Sequence, residues 1–209
     1  MSAASVPAAP ARAVLFDLGG VVIDWNPRHL YRTLFDDERA MERFLADVCT
    51  PAWNAELDRG RPFAEAVADL CARHPGKAEL VRAYHERWIE MVPGEVPGTR
   101  ALIARLRERH PVFALTNWSA ETFPLAAERH PWLIGDFDDV LVSGREGVIK
   151  PDRAIFDLAA RRFGLDPATT LFVDDSPTNV EAAARYGWHA HRFVGAATLA
   201  RALDDHGLL

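Results

Sequence analysis

Four short apolar runs dominate the sequence: AVLF at 13–16, VFAL at 112–115, VLV at 140–142 and LFV at 171–173. A half-exposed strand alternates apolar with polar residues, whereas a run that is apolar throughout and only three or four residues long reads as a strand buried on both faces. HAHRF at 189–193 is a weaker fifth candidate. Helical patterns lie between the runs. From Thr99 to His110, Leu102, Ile103 and Leu106 share one face behind the turn pair Pro97-Gly98. The stretch from Ala154 to Phe163 repeats this with Ile155, Leu158, Ala159 and Arg162 ahead of Gly164. Strand alternating with helix implies an α/β fold whose parallel sheet is covered on both sides.

Residues 25–93 break the rhythm. Three apolar stripes at helical spacing occur there: Met41, Phe44, Leu45 and Val48; Phe63, Val67, Leu70 and Cys71; and Val81, Tyr84, Trp88 and Ile89. Gly60 and Pro62 mark a turn into a new helix, with Pro62 suited to its first position. The expected organisation is a core formed by 12–24 and 94–209, a helical insertion at 25–93, and an Ala/Pro tail at 1–11 that is expected to be flexible.

Composition narrows the function. A formal charge of −6, with Arg scattered among Asp and Glu, argues against a nucleic-acid partner. No apolar stretch reaches the length that crosses a bilayer, so no membrane partner is expected. The cysteines, Cys49 and Cys71, stand in neither a metal-type nor a redox-type spacing. They read as small buried residues, which fits a reducing, cytoplasmic setting. Oligomeric state leaves no trace in the sequence.

Ligands of an open parallel sheet bind beyond the carboxyl ends of its strands. There AVLF closes on Asp17, VFAL on Thr116-Asn117, VLV on Ser143-Gly144 and LFV on Asp174-Asp175; Lys150 follows Ser143 just ahead of Pro151. Singly, each has an ordinary explanation as a cap, a turn residue or a solvated side chain. Together they do not, because clustered carboxylates raise one another's pKa unless a cation neutralises them. An oxygen-only donor set beside a phosphate-type pocket points to Mg²⁺ rather than zinc.

The ordered set FDLGGV (16–21), LTN (115–117), KPD (150–152) and VDDSPTNVEAA (173–183) resembles the four motifs of the haloacid dehalogenase-like superfamily, over residues 13 to about 194. The insertion at 25–93 falls where that family carries a helical cap domain. The nearest likeness is to the branch of bacterial sugar-phosphate phosphatases with a D-L-G opening. The resemblance implies a Rossmann-like core and a small-molecule phosphate substrate, with Asp17 as the nucleophile that forms an aspartyl-phosphate. It also implies Mg²⁺ held by Asp17, Asp175 and the Gly19 carbonyl, with Asp174 in the outer shell or paired with Lys150. Thr116, the Asn117 N–H and Lys150 would hold the phosphoryl oxygens, and Gly20 would supply the tight turn beneath the substrate.

One position departs from the pattern. Most phosphatases of this superfamily carry a second Asp two residues after the nucleophile to protonate the leaving group; here that residue is Gly19. Asp24 is a candidate replacement, although a helix-capping role ahead of Pro27 suits it better. A haloacid dehalogenase also lacks the second Asp but has Tyr at the Gly19 position and no acidic pair like Asp174-Asp175. A phosphoacceptor receiver would place its acidic pair first, and a weakly active binding protein is a further alternative. Trp25, Trp53, Tyr84, His85 and Trp88 are candidates to line the pocket, one or two of them at most, and Arg59 is expected to be solvated.

Overall fold

The computed structural model describes residues 11–209. The strands are β1 (Ala13–Phe16), β2 (Val112–Thr116), β3 (Val140–Val142), β4 (Thr170–Asp174) and β5 (His189–Arg192). They form one sheet in the order β3-β2-β1-β4-β5, and every pairing is parallel. All four apolar runs are strands, and so is the weaker fifth. The period of two then divides each run between the faces: Val14 and Phe16 enter one apolar cluster while Leu15 enters the other, and Leu171 and Val173 are likewise separated from Phe172.

The helices are α1 (Pro27–Tyr31), α2 (Glu38–Asp47), α3 (Pro51–Asp58), α4 (Phe63–Arg73), α5 (Ala78–Glu86), α6 (Thr99–Leu106), α7 (Thr122–Arg129), α8 (Trp132–Gly135), α9 (Ser143–Glu146), α10 (Arg153–Phe163), α11 (Pro177–Arg185) and α12 (Ala196–Asp205). One face of the sheet is covered by α10 and α11 through Ile155, Phe156, Ala159, Ala182 and Ala183. The buried face of α10 therefore uses Phe156, whereas Arg162 points outward to Asp139. The other cluster runs from Val14 and Phe16 through α6 and α12 into α2, α4 and α5 of the insertion. From Pro27 to Met91 the described residues between β1 and α6 are helical or connecting, with no strand.

Three local expectations need correction. Asp24 does not cap α1; Asn26 does, its side chain accepting from the Arg28 N–H, because Pro27 at the first helical position leaves residue 26 as the cap. Pro62 is itself the cap residue of α4, and the Phe63 N–H is satisfied by Glu121 Oε1 at 2.9 Å from outside the insertion. Of the two cysteines Cys49 is buried and Cys71 only half-buried, both as free thiols. The tail at 1–11 lies outside the described residues except for Ala11, which is buried.

Candidate active site

Sheet order places Asp17 just past the end of the central strand, with β2 and β4 on either side, so three strand ends meet at one point. Phe16 pairs with Val173, and the Asp17 N–H donates to the Val173 carbonyl at 2.8 Å, bringing Asp17 beside Asp174. Between them sits Lys150, 2% exposed, with Nζ at 2.8 Å from Asp17 Oδ1 and 2.7 Å from Asp174 Oδ2. Burial opposes charge on this ammonium, but the two carboxylates outweigh it and raise its pKa. The Asn117 side chain fixes Lys150 from behind: its Nδ2 donates to the Lys150 carbonyl at 2.9 Å, and its Oδ1 accepts from the Lys150 N–H at 2.8 Å.

Asp17 uses only one oxygen in these contacts. Oδ1 also accepts from the Leu18 N–H at 2.7 Å, while Oδ2 has no hydrogen-bond partner among the described residues. Burial pushes the Asp17 carboxyl up to about 7, Lys150 opposes the rise, and Asp174 and Asp175 add to it. Asp175 is raised by burial and then by Asp174. Asp174, fully buried, has both oxygens occupied: Oδ2 by Lys150, Oδ1 by the Ser176 N–H at 2.8 Å, and both by Asn179 Nδ2.

Asp17, Asp174 and Asp175 each bring an oxygen within 4.8 Å of the others. Three carboxylates against one ammonium form an oxygen-only set in which a divalent cation could be held. Gly20, at φ +73°, makes room for it: a Cβ there would lie 2.6 Å from Asp175 Oδ2. No side chain could occupy position 20 without displacing that carboxylate.

Above the strand ends is a cavity of about 380 Å³ whose floor includes Asp17, Gly19, Gly20, Asn117 and Asp175. Thr116, Lys150 and Asp174 lie buried at its base rather than on its wall. The insertion and the segment after β2, through Trp118, Ser119 and Thr122, form the rest of the wall, and of the five aromatic candidates Trp25 and Trp88 line the cavity. Trp53 and Tyr84 pack edge to face with each other, and His85 stacks on Phe63. A second cavity of about 550 Å³ adjoins it, sharing Trp25, Pro27, Arg28 and Asn54.

Several cavity residues escape the sequence reading, Trp118 and Asp58 among them. Trp118 packs against Trp88 at 5.5 Å, joining the loop after β2 to the insertion. Asp58, at the end of α3, reaches into the cavity with its carboxyl pushed up to about 7 by burial, against the pull of Lys150 and a hydrogen bond from the Ser119 backbone. The only hint in the sequence was its place in the Asp58-Arg59-Gly60 turn. That turn docks on the strand ends. Ser143 Oγ donates to the Asp58 carbonyl at 2.6 Å, Arg59, an exposed side chain, reaches Asp152 at 3.0 Å, and Gly60 at φ +101° lies against the Gly144 carbonyl.

The chain is 26% identical over 187 residues to a sesquiterpene phosphatase of Aspergillus oryzae, covering 84% of this chain and 86% of the relative. It is 25% identical over 198 residues to the D-ribitol-5-phosphate phosphatase of Bacteroides thetaiotaomicron, covering 84% and 88%. Among solved structures, a HAD-like hydrolase of Porphyromonas gingivalis superposes with a TM-score of 0.72 at 24% identity, covering 93% of this chain and 98% of that one. The fold is shared with dehalogenases too, including an L-2-haloacid dehalogenase of Xanthobacter autotrophicus at a TM-score of 0.63 and 18% identity, covering 95% and 84%. The family model for haloacid dehalogenase-like hydrolases matches residues 11–187, from the first strand past the acidic pair, and the chain belongs to that family of enzymes.

Proposed function

We propose that the chain is a magnesium-dependent phosphomonoester hydrolase acting on a small phosphorylated metabolite, with Asp17 as nucleophile and residues 25–93 as its cap domain. The observation that carries this reading is the wedge of Lys150 between Asp17 and Asp174 beside the free Asp17 Oδ2. An unpartnered carboxylate oxygen at a cavity floor is placed to attack, and a fixed buried cation reduces its repulsion from an incoming phosphate. Two curated relatives are phosphatases by name, and a sugar phosphate is the substrate class that the resemblance favours. The free thiols suit a cytoplasmic enzyme, and no helix among the described residues is long and apolar enough to cross a membrane.

Each residue has a distinct part. Asp17 and Asp175, with the Gly19 carbonyl, would hold magnesium, which when bound draws charge from the phosphoryl group. Asp174, saturated by Lys150, Asn179 and the Ser176 N–H, keeps Lys150 in place and is the poorest metal ligand of the three. Thr116 and the Asn117 N–H hold phosphoryl oxygens, and the Asn117 side chain also locks the backbone at Lys150. Asp17 Oδ2 forms a bond to phosphorus as the alcohol leaves, and water then cleaves the aspartyl-phosphate.

A dehalogenase would use the same Asp to attack carbon. Against that reading, its carboxylate substrate would meet Asp175 on the cavity floor, with Asp174 buried beneath it. Phosphate release from a panel of metabolite phosphates, with and without Mg²⁺, tests the proposal. Release should require both the metal and Asp17, and halide release from 2-haloacids in chelator would overturn it.

A further inference from the structure

Gly19 leaves the leaving group without a proton donor at the usual place, which makes every other acid in the cavity relevant. Asp24 is not one of them: its Oδ2 pairs with His29 Nε2 at 2.9 Å, and it does not line the cavity. The carboxyl side chains that do are Asp17, Asp175 and Asp58. The first two belong to the phosphoryl machinery proposed above. Asp58 lines the same cavity from the insertion, at the end of α3.

Its surroundings suit an acid that must hold a proton and release it. Asn54 Nδ2 donates to Asp58 Oδ2 at 2.8 Å, and the Tyr84 hydroxyl donates to Asn54 Oδ1 at 2.7 Å, which fixes the amide with its NH₂ toward Asp58. The Ser119 N–H supplies a backbone donor. No Arg or Lys forms an ion pair with Asp58 among the described residues. The cations nearest the cavity are committed elsewhere, Lys150 to Asp17 and Asp174, and Arg28 to Glu42 through two bonds of 2.5 and 2.7 Å. On the far side of Phe63, His85 stacks on its ring and faces Glu121 at 4.0 Å. Asp58 is thus buried without a paired cation, and burial keeps its carboxyl protonated toward neutrality against the donors and Lys150, which favour the charged form, in line with its upward shift.

We propose, on the phosphatase reading above, that Asp58 is the general acid and base of the reaction, supplied by the insertion in place of the carboxylate missing at position 19. In the first step Asp17 Oδ2 bonds to phosphorus, the ester P–O bond breaks, and the Asp58 proton passes to the leaving oxygen, which departs as an alcohol. In the second, water bonds to phosphorus and gives a proton to the Asp58 carboxylate, while the bond from phosphorus to Asp17 breaks and phosphate leaves. Asp58 ends protonated, as it began. The docking of Asp58 through Ser143 and of Gly60 through Gly144 makes the donor available only when the insertion sits on the strand ends.

The test is a series of phosphate esters of graded leaving-group pKa, from aryl to primary alkyl, assayed with Mg²⁺ in the wild type and in Asp58→Asn. The wild type should show a shallow dependence of kcat/KM on leaving-group pKa. Asp58→Asn should lose about 10²- to 10⁴-fold on alkyl esters and less than about tenfold on aryl esters, so that the dependence steepens. The wild-type rate is expected to fall above a pH of about 7 as the acid deprotonates, and Asp58→Asn should lose that fall. An unchanged slope with little loss of activity overturns the proposal. Should both ester classes collapse together, Gly19→Asp in the same background decides; the nearest neighbour of a Cβ there is Trp25 Cβ at 3.9 Å, so the side chain has room. Selective return of alkyl-ester turnover upholds the donor role, and no return overturns it. A wild type that releases phosphate from no ester, with or without Mg²⁺, refutes the phosphatase reading itself, and Asp58's role with it.

Discussion

Lys150→Met removes the ammonium that lies 2.8 Å from Asp17 and 2.7 Å from Asp174 while leaving an apolar stem of similar length. Two consequences follow, and they are separable. Taking one partner from a buried ion pair costs about 3–5 kcal/mol, because the remaining carboxylates stay desolvated without a counter-charge. For a chain of this size each kcal/mol moves Tm by roughly 2–4 °C, so a fall of about 6–20 °C is expected. Turnover should fall by about a thousandfold or more, because the cation that offsets repulsion between nucleophile and phosphate is gone. Asp174→Asn added to Lys150→Met removes one of the two stranded carboxylates. The double variant should recover several degrees of Tm and none of the turnover. Thermal melts and initial rates of phosphate release, measured below the melting range of each variant, report the two effects independently. Lys150→Met that melts early yet keeps near wild-type kcat would refute the catalytic role and leave Lys150 as a structural bridge.

Two further outcomes can be measured. Gly60→Ala places a Cβ 2.8 Å from the Gly144 carbonyl at φ +101°, and should cost about 2 kcal/mol. Its Tm should fall by roughly 4–8 °C, while Gly76→Ala, with nothing within 4 Å, should not move it; equal effects would remove the close docking from the account. The Asp58 carboxyl, raised in the folded state to about 7, contributes stability that is full at low pH and lost as pH climbs from its unfolded value through about 7. Between pH 5 and 8 Asp58→Asn should therefore gain on the wild type by at most about 3 kcal/mol in denaturant titrations. A constant difference would contradict the burial of that carboxyl.

Much of the site could be read from the sequence because a parallel sheet makes it local. A strand buried on both faces must be apolar along its length, so the first polar residue marks its carboxyl end, and Asp17, Thr116, Ser143 and Asp174 were located in that way. The insertion was less legible. Apolar spacing identified its helices, but the face each helix turns toward the strand ends depends on docking, which separates Trp25 and Trp88 in the cavity above Asp17 from Trp53 in the packed interior and Tyr84 beside the second cavity. Asp58 lies 41 residues beyond Asp17 in sequence and meets the site only through the Ser143 and Gly144 contacts. The clamp that Asn117 places on Lys150 spans 33 residues and leaves no local pattern. The capping of α1 was legible and misjudged: Pro27 at the first helical position designates Asn26, which frees Asp24 to pair with His29.

The central claim is that Asp17 attacks phosphorus, and the destination of the water oxygen tests it most directly. Turnover of a phosphate ester with Mg²⁺ in heavy-oxygen water should place the label in the released phosphate and leave the Asp17 carboxyl unlabelled, because hydrolysis of the aspartyl-phosphate occurs at phosphorus. Asp17→Asn should give no labelled phosphate. Label in the Asp17 side chain would mean that water attacks the carboxyl carbon of an ester intermediate, as in displacement at carbon, and labelled phosphate from Asp17→Asn would mean that another group starts the reaction; either result contradicts the account.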